Sequence, residues 1–311
     1  MRIVVFGAGA IGSLLGARLF LAGEEVILVG RPAHVEAIRS EGLWVEGLSE
    51  RPVPVPATPE LAPGTSADAL VLAVKAFDLE EAARTLTDAL AAPAPILAIQ
   101  NGLGIEEELS AVLAEAGWPG PRRHIVRAVN SIPVTFVGPG RVRLGGSGEV
   151  LLGPGGSEDA FATVLARAGV SVRRVPAIER EVYRKLLVNA AINPVTADHV
   201  VENGRLATEP WRGQALALLH EARSVAAAEG FEFSADEAER ELFRVVHATA
   251  ANRSSMLQDL DAGRPTEIDA ISGELLELGR RHHLVLPQTE RVVRRIRARA
   301  AEGRRGTAHG A

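Results

Sequence analysis

The first thirty residues leave this chain little choice of fold. Arg2-Ile3-Val4-Val5-Phe6 is a short β-branched run, and Gly7-Ala8-Gly9-Ala10-Ile11-Gly12 follows it at once. An amphipathic helix then reads through Leu14, Leu15, Leu19 and Leu21 to a stop at Gly23, and a second strand spans Glu25 to Val29. Strand, glycine-rich turn, helix and strand in this order make a dinucleotide-binding βαβ unit. The first glycine permits the tight turn and the second lets the backbone approach a pyrophosphate. The third lets helix pack on strand, and the helix N-terminus offers its amides to the phosphate. Gly7, Ala8, Gly9, Ala10, Ile11 and Gly12 are therefore the expected cofactor-binding turn. The same six residues elsewhere in a chain would say far less; their place between strand and helix carries the reading.

The end of the second strand selects the cofactor. An acid there would bond the ribose 2′-hydroxyl of NAD. This chain has Gly30-Arg31 instead. A guanidinium would pair with a 2′-phosphate, which an acid would repel, so NADP(H) is expected. The competing explanation for Arg31 is an ordinary exposed arginine in an arginine-rich chain.

From Arg31 to Thr65 the pattern is mixed: a helix over Ala33 to Glu41, then short strands such as Leu43-Trp44-Val45 and Val53-Pro54-Val55, where the prolines mark edge strands or loops. Ala69-Leu70-Val71-Leu72-Ala73-Val74 is a continuous apolar run, as a parallel strand buried on both faces requires. It ends at Lys75, and the next run, Pro95 to Ile99, ends at Gln100-Asn101-Gly102-Leu103-Gly104. Ligands on open α/β sheets lie at the carboxyl ends of the strands, so Lys75 and Asn101 fall at ligand-facing positions. A simple turn explains Asn101-Gly102 equally well locally. A helix (Ile105 to Ala116), a strand (His124 to Val129), a hairpin-like region (Ile132 to Leu152), a helix (Glu158 to Ala168) and a strand (Val170 to Val175) follow. After Pro176 helical periods dominate as far as Arg299. The fold class expected is a Rossmann-type α/β domain over 1–175 and an all-helical domain over 176–311.

In the second of these, Tyr183 to Pro194 reads as a helix whose polar residues stand out. Lys185, Asn189 and Asn193 recur every fourth residue and so project in a row from one face. An ammonium and two carboxamides are poor core residues and good material for holding and protonating a small polar molecule. Scarcity adds weight: of 34 Lys+Arg only Lys75 and Lys185 are lysine, and arginine does not give up its proton near neutral pH. Solvent-facing amides beside a surface lysine are the plainer alternative. Further on, Asn203-Gly204 marks a loop before helices over Glu209 to Glu229 and Ala235 to Ala251. The serines and threonine of Ser254-Ser255-Met256-Leu257-Gln258-Asp259 and Thr266-Glu267-Ile268-Asp269 could all be helix caps, with Gln258 or Asp269 closing a capping box. His282 and His283 are neighbours that do not face one way, so no metal site is expected. The arginine-rich tail from Arg291 to Arg305 reads as a solvated helix end plus a disordered terminus.

Composition narrows the classes. A chain of 311 residues with 47 % hydrophobic content can bury two cores. A formal net charge of −5 argues against nucleic acid or an anionic membrane as partner. The absence of cysteine excludes disulfides, thiolate metal sites and cysteine nucleophiles. Because the chain enters a strand directly and no apolar run approaches a membrane span, a cytoplasmic protein is expected.

With these motifs in hand, the chain resembles the 2-dehydropantoate 2-reductase (ketopantoate reductase) family over essentially its whole length. The resemblance rests on Gly7 to Gly12, Val74-Lys75-Ala76, Gln100 to Gly104, the Lys185 to Pro194 helix, Asn203-Gly204, Ser254 to Asp259 and Thr266 to Asp269. It implies a C-terminal domain like that of 6-phosphogluconate dehydrogenase, and NADPH-dependent reduction of 2-dehydropantoate to pantoate on the route to coenzyme A. Lys185 would be the general acid; Asn189, Asn193, Asn203 and Ser255 would hold the substrate; Asn101 and Glu267 would sit between nicotinamide and substrate; Lys75 and Arg31 would bind the cofactor. A cation against the ketone oxygen lowers the barrier as negative charge develops there. Partial burial between two domains would bring a lysine's pKa toward neutrality. Residues 128–135 depart from the pattern of the family, and Asn130 is given no role. The expected partner is a small-molecule substrate, with a homodimer left open. Two rivals are a reductase of another branched 2-oxo acid and a non-catalytic NADP-binding sensor; retention of lysine at both ligand positions argues against the sensor.

Overall fold

Eleven strands and eleven α-helices are present among the residues described by the computed structural model, 1–308, with side chains to 302. The last three positions of the expected helical domain, 309–311, lie outside the described residues, whereas the Arg291–Arg305 tail, expected to end in disorder, is helical to Arg305. Two compact units divide the chain: Met1–Gln100 with Gly104–Glu179, and Asn101–Leu103 with Arg180 onward.

The first unit begins β1 (Arg2–Phe6), α1 (Ala10–Leu21), β2 (Glu25–Val29), α2 (Pro32–Glu41), β3 (Trp44–Glu46), β4 (Ala57–Thr58) and β5 (Ala69–Leu72). It continues with α3 (Leu79–Ala89), β6 (Ile96–Ala98), α4 (Ile105–Glu115), β7 (Ile125–Asn130), β8 (Val134–Gly138), β9 (Arg141–Leu144), β10 (Glu149–Leu152), α5 (Glu158–Arg167) and β11 (Ser171–Arg174). Eight strands form one sheet in the order β11-β10-β7-β6-β5-β1-β2-β4. From β7 to β4 every pairing is parallel, and β10 is the strand that runs antiparallel to its neighbour β7. β5 and β6 are buried along their whole length, which is why their sequences are apolar without alternation. A second sheet of three strands, β3-β9-β8, contains the expected hairpin as β8–β9.

Two local readings need correction. Val53-Pro54-Val55 is not a strand: Val53 makes a single bridge to Leu43, because the prolines on either side of it have no N–H to give a ladder. Glu149–Leu152, expected within the hairpin region, instead enters the large sheet between β7 and β11. Asn130, left without a role, closes β7: its Oδ1 accepts from Ile132 N–H at 3.2 Å, an Asx turn.

Among the described residues the second unit has helices and no strand: α6 (Ile178–His199, its first two residues counted with the first unit), α7 (Trp211–Ala228), α8 (Ala235–Ala248), α9 (Ser255–Asp261), α10 (Glu274–Arg281) and α11 (Pro287–Ala308). A single-turn π-helix, Asp269–Gly273, precedes α10. Its core draws Tyr183, Leu186, Leu187, Val188, Ala190, Ala191, Ile192, Val195 and Ala197 from α6 alone. A helix apolar on most sides is a buried central helix, so its few polar residues need separate explanation. No helix among the described residues is long and apolar enough to cross a membrane.

Candidate active site

In the first unit the glycine-rich turn has little room for side chains. Gly7 has φ +103°, and a Cβ there would lie 2.6 Å from the backbone of Ala73 and Val74. A Cβ on Gly12 would lie 2.1 Å from the Gly7 carbonyl oxygen, so only glycine lets α1 start this close to β1. Around Gly9 the opposite holds, with nothing within 4 Å. α1 begins without a side-chain cap and without an acid in its first turn. Its first amides therefore have no protein partner of the usual capping kind, and nothing negative repels an anion from them. These features fit the pyrophosphate of a dinucleotide. Gly12→Ala is expected to destabilise the fold by about 1–3 kcal/mol through overpacking against backbone, read as a lowered denaturant midpoint.

Arg31, exposed at the end of β2, opens α2 with Pro32 at the first helical position. Lys75 precedes the short 3₁₀ turn Ala76–Asp78. The sequence reading missed Asp78. Burial raises its carboxyl above the ordinary range, against the opposing charges of Arg31 and Lys75. The end of β2 and the segment after β5 thus bring two cations and the acids Asp78 and Glu81 into a single electrostatic neighbourhood. Spacing of three from Lys75 is the only sign of Asp78 in the sequence.

In the second unit, Lys185, Asn189 and Asn193 lie on α6, the first two half-buried and Asn193 buried. Pro194 follows inside the helix, where its missing N–H leaves the Ala190 carbonyl without the usual bond. Two residues on, the Thr196 hydroxyl lies 2.8 Å from the Ile192 carbonyl and 2.6 Å from Ser254 Oγ. Ser254 Oγ accepts from Leu257 N–H at 3.2 Å, so Ser254 is the cap of α9 and Gln258 turns away to the Arg253 carbonyl. Ser255 is thereby relieved of capping. It is exposed at the first position of α9, which Ser254 ties to α6.

Asn203 lies in a 3₁₀ turn (Asn203–Ala207) bonded to the same region, its N–H donating to Asn252 O at 2.9 Å. Its Nδ2 donates to Thr249 Oγ1 at 2.9 Å, while its Oδ1 is buried with no partner. A buried acceptor left open costs stability unless a ligand donor meets it. Asn101 Nδ2 donates to Glu267 Oε2 at 3.0 Å across 166 residues of sequence. Glu267 is buried, and a Cβ on Gly102 would stand 2.9 Å from the Ala270 carbonyl in the π-helical turn. Asn101, expected at a strand end, therefore belongs to the helical unit together with Glu267. The Arg31, Lys75 and Gly7–Gly12 group stays in the first unit. An ammonium, several carboxamides and a hydroxyl in one unit can bind a carboxylate and donate a proton.

The comparisons with known proteins agree along the whole chain. Residues 3–157 match the family model described as ketopantoate reductase PanE/ApbA, and residues 177–300 match its C-terminal model. A 2-dehydropantoate 2-reductase of Archaeoglobus fulgidus is 36 % identical over 284 residues, covering 89 % of this chain and 90 % of that one. That of Salmonella typhimurium is 33 % identical, covering 97 % and 96 %. Among solved structures, a PanE/ApbA family ketopantoate reductase from Ralstonia eutropha JMP134 superposes with a TM-score of 0.88 at 30 % identity, covering 97 % of this chain and 99 % of that one. D-Mandelate dehydrogenase in a ternary structure with NADH and anilino(oxo)acetate superposes with the same TM-score at 26 % identity and the same coverage. By motif, by fold and by these relatives, the chain belongs to the ketopantoate reductase PanE/ApbA family.

Proposed function

We propose that this protein reduces 2-dehydropantoate to pantoate with NADPH, a step toward pantothenate and coenzyme A. The observation that carries the reading is the row Lys185, Asn189 and Asn193 on α6, together with the open buried acceptor of Asn203. When bound, the nicotinamide supplies the hydride. Lys185 Nζ gives its proton to the carbonyl oxygen of the substrate, whose second carbon takes the hydride. The ammonium thus faces an oxygen that grows more negative along the reaction, and it stabilises the transition state more than the bound ketone. Asn189, Asn193 and Ser255 hold the substrate carboxylate and hydroxyl, and Asn203 Oδ1 accepts from the hydroxyl. The Gly7–Gly12 turn binds the pyrophosphate and Arg31 the 2′-phosphate, with Lys75 on the cofactor as well. Asn101 and Glu267 are assigned to the nicotinamide end, with Asn101 also touching substrate.

The test is NADPH consumption with 2-dehydropantoate, run beside NADH and a panel of 2-oxo acids. Turnover favouring NADPH and 2-dehydropantoate is expected. The D-mandelate dehydrogenase likeness motivates the second reading, a reductase of a different 2-oxo acid. Higher kcat/KM for a 2-oxo acid lacking the 4-hydroxyl would select it. Tight NADPH binding without turnover on any member of the panel would select the sensor.

A further inference from the structure

His34 lies three residues beyond Arg31 on α2 and is 3 % exposed. None of the roles above uses it. Its two ring nitrogens each meet a partner: Gly140 N–H donates to Nδ1 at 2.9 Å, and Ser13 Oγ lies 3.0 Å from Nε2. A backbone amide can only donate, so Nδ1 carries no proton and the proton of the neutral ring is on Nε2. Nε2–H then donates to Ser13 Oγ. The Ser13 hydroxyl is left with one proton of its own, which reaches the Ala8 carbonyl at 3.3 Å. Direction is therefore set along the whole chain of bonds, from Gly140 through His34 and Ser13 to Ala8. Burial supports this by pushing the imidazole down to about 4, which keeps it neutral in ordinary buffers.

Each end of the chain has a specific place. Ala8 is the second residue of the glycine-rich turn, and its carbonyl orientation sets the peptide plane that leads into Gly9 and the start of α1. Gly140 sits at the β8–β9 turn with φ +71°, and a Cβ there would come within 2.9 Å of Ala37 Cβ on α2. Phe136 of β8 packs on the imidazole with ring centroids 5.0 Å apart. The backbone N–H of His34 donates to the Arg31 carbonyl at 3.0 Å, in the first turn of α2. One buried ring thus connects the segment that presents Arg31 to the turn that receives a pyrophosphate.

We infer that His34, acting through Ser13, is a positioning residue for dinucleotide binding: it fixes the Ala8–Gly9 peptide and the spacing between that turn and Arg31. The inference rests on the NADPH reading above. His34→Phe keeps the ring and its packing on Phe136 but offers neither nitrogen; Ser13→Ala breaks the bonds to His34 Nε2 and to the Ala8 carbonyl and leaves the Gly140 N–H on Nδ1. Both variants are expected to bind NADPH about tenfold more weakly by fluorescence or calorimetric titration, the size of one lost buried hydrogen bond. At saturating NADPH, kcat is expected to stay within about twofold, because neither residue touches the reacting atoms. In nitrogen NMR of the unliganded wild type, His34 is expected to show a bare Nδ1 and a protonated Nε2. Wild-type affinity in Ser13→Ala and in any folded His34→Phe, or a protonated Nδ1, overturns the inference. A lowered melting midpoint with unchanged affinity would also overturn it, reducing His34 to a packing residue. If the wild type binds NADH as tightly as NADPH, the cofactor reading fails while the relay stands; if it binds neither, both fail.

Discussion

Lys185→Ala is expected to lower kcat for 2-dehydropantoate by roughly two to four orders of magnitude while the NADPH dissociation constant changes by less than about threefold. On the proposed mechanism the alanine removes both the proton donor and the charge that meets the developing alkoxide, and it leaves the first unit's glycine turn and Arg31 untouched. Lys185→Arg separates these two contributions. It restores charge but not the ability to release a proton near neutral pH, and its planar fork has a different shape, so little rescue is expected. Steady-state kinetics beside a binding titration decides the matter. A Lys185→Ala enzyme retaining more than about a tenth of wild-type kcat would remove Lys185 from the role of general acid. A parallel fall in NADPH affinity would instead indicate a damaged fold.

Arg31→Ala is expected to raise KM for NADPH by roughly ten- to a hundredfold and to leave NADH nearly unchanged, the size of a lost charge-assisted contact to a phosphate. The side chain is exposed in the structure, so its removal leaves no buried cavity and the effect belongs to the ligand. Asp78 sharpens the expectation. Its carboxyl shares the neighbourhood of Arg31 and Lys75, and without Arg31 the acid keeps one fewer opposing charge, which disfavours any anion bound nearby. Raising the salt concentration should also weaken NADPH more than NADH, because an exposed pairing is screened. Equal losses for the two cofactors in Arg31→Ala would defeat the assignment.

Most of the first unit could be read locally. β1, α1 and β2 follow from a β-branched run, a Gly-x-Gly-x-x-Gly turn and a leucine-rich helix, all within thirty residues. The buried strands β5 and β6 announce themselves by continuous apolar runs. The failures have different causes. Val53 lacks a ladder because its neighbours are prolines, and β10 left the expected hairpin because its partners β7 and β11 are distant in sequence. A period of two residues says that a segment is a strand and is silent about its partner.

The same division holds for the site. Lys185, Asn189 and Asn193 were legible because helical geometry converts a spacing of four into one face without help from the rest of the chain. Which of Ser254 and Ser255 caps α9 could be read only by seeing which hydroxyl takes the Leu257 amide. Asp78, the open Oδ1 of Asn203, the Asn101–Glu267 bond and the His34 relay leave almost no local trace. The long-range bonds among them join groups 21 to 166 residues apart, and one acceptor has no partner. By itself the sequence determined the fold class, the glycine turn and the polar face of α6, because those follow from propensity and periodicity along a single segment. Tertiary structure alone decided which caps, carboxylates and imidazole meet which partners, because hydrogen bonds are short and directional and distant segments find them only after packing has set their positions.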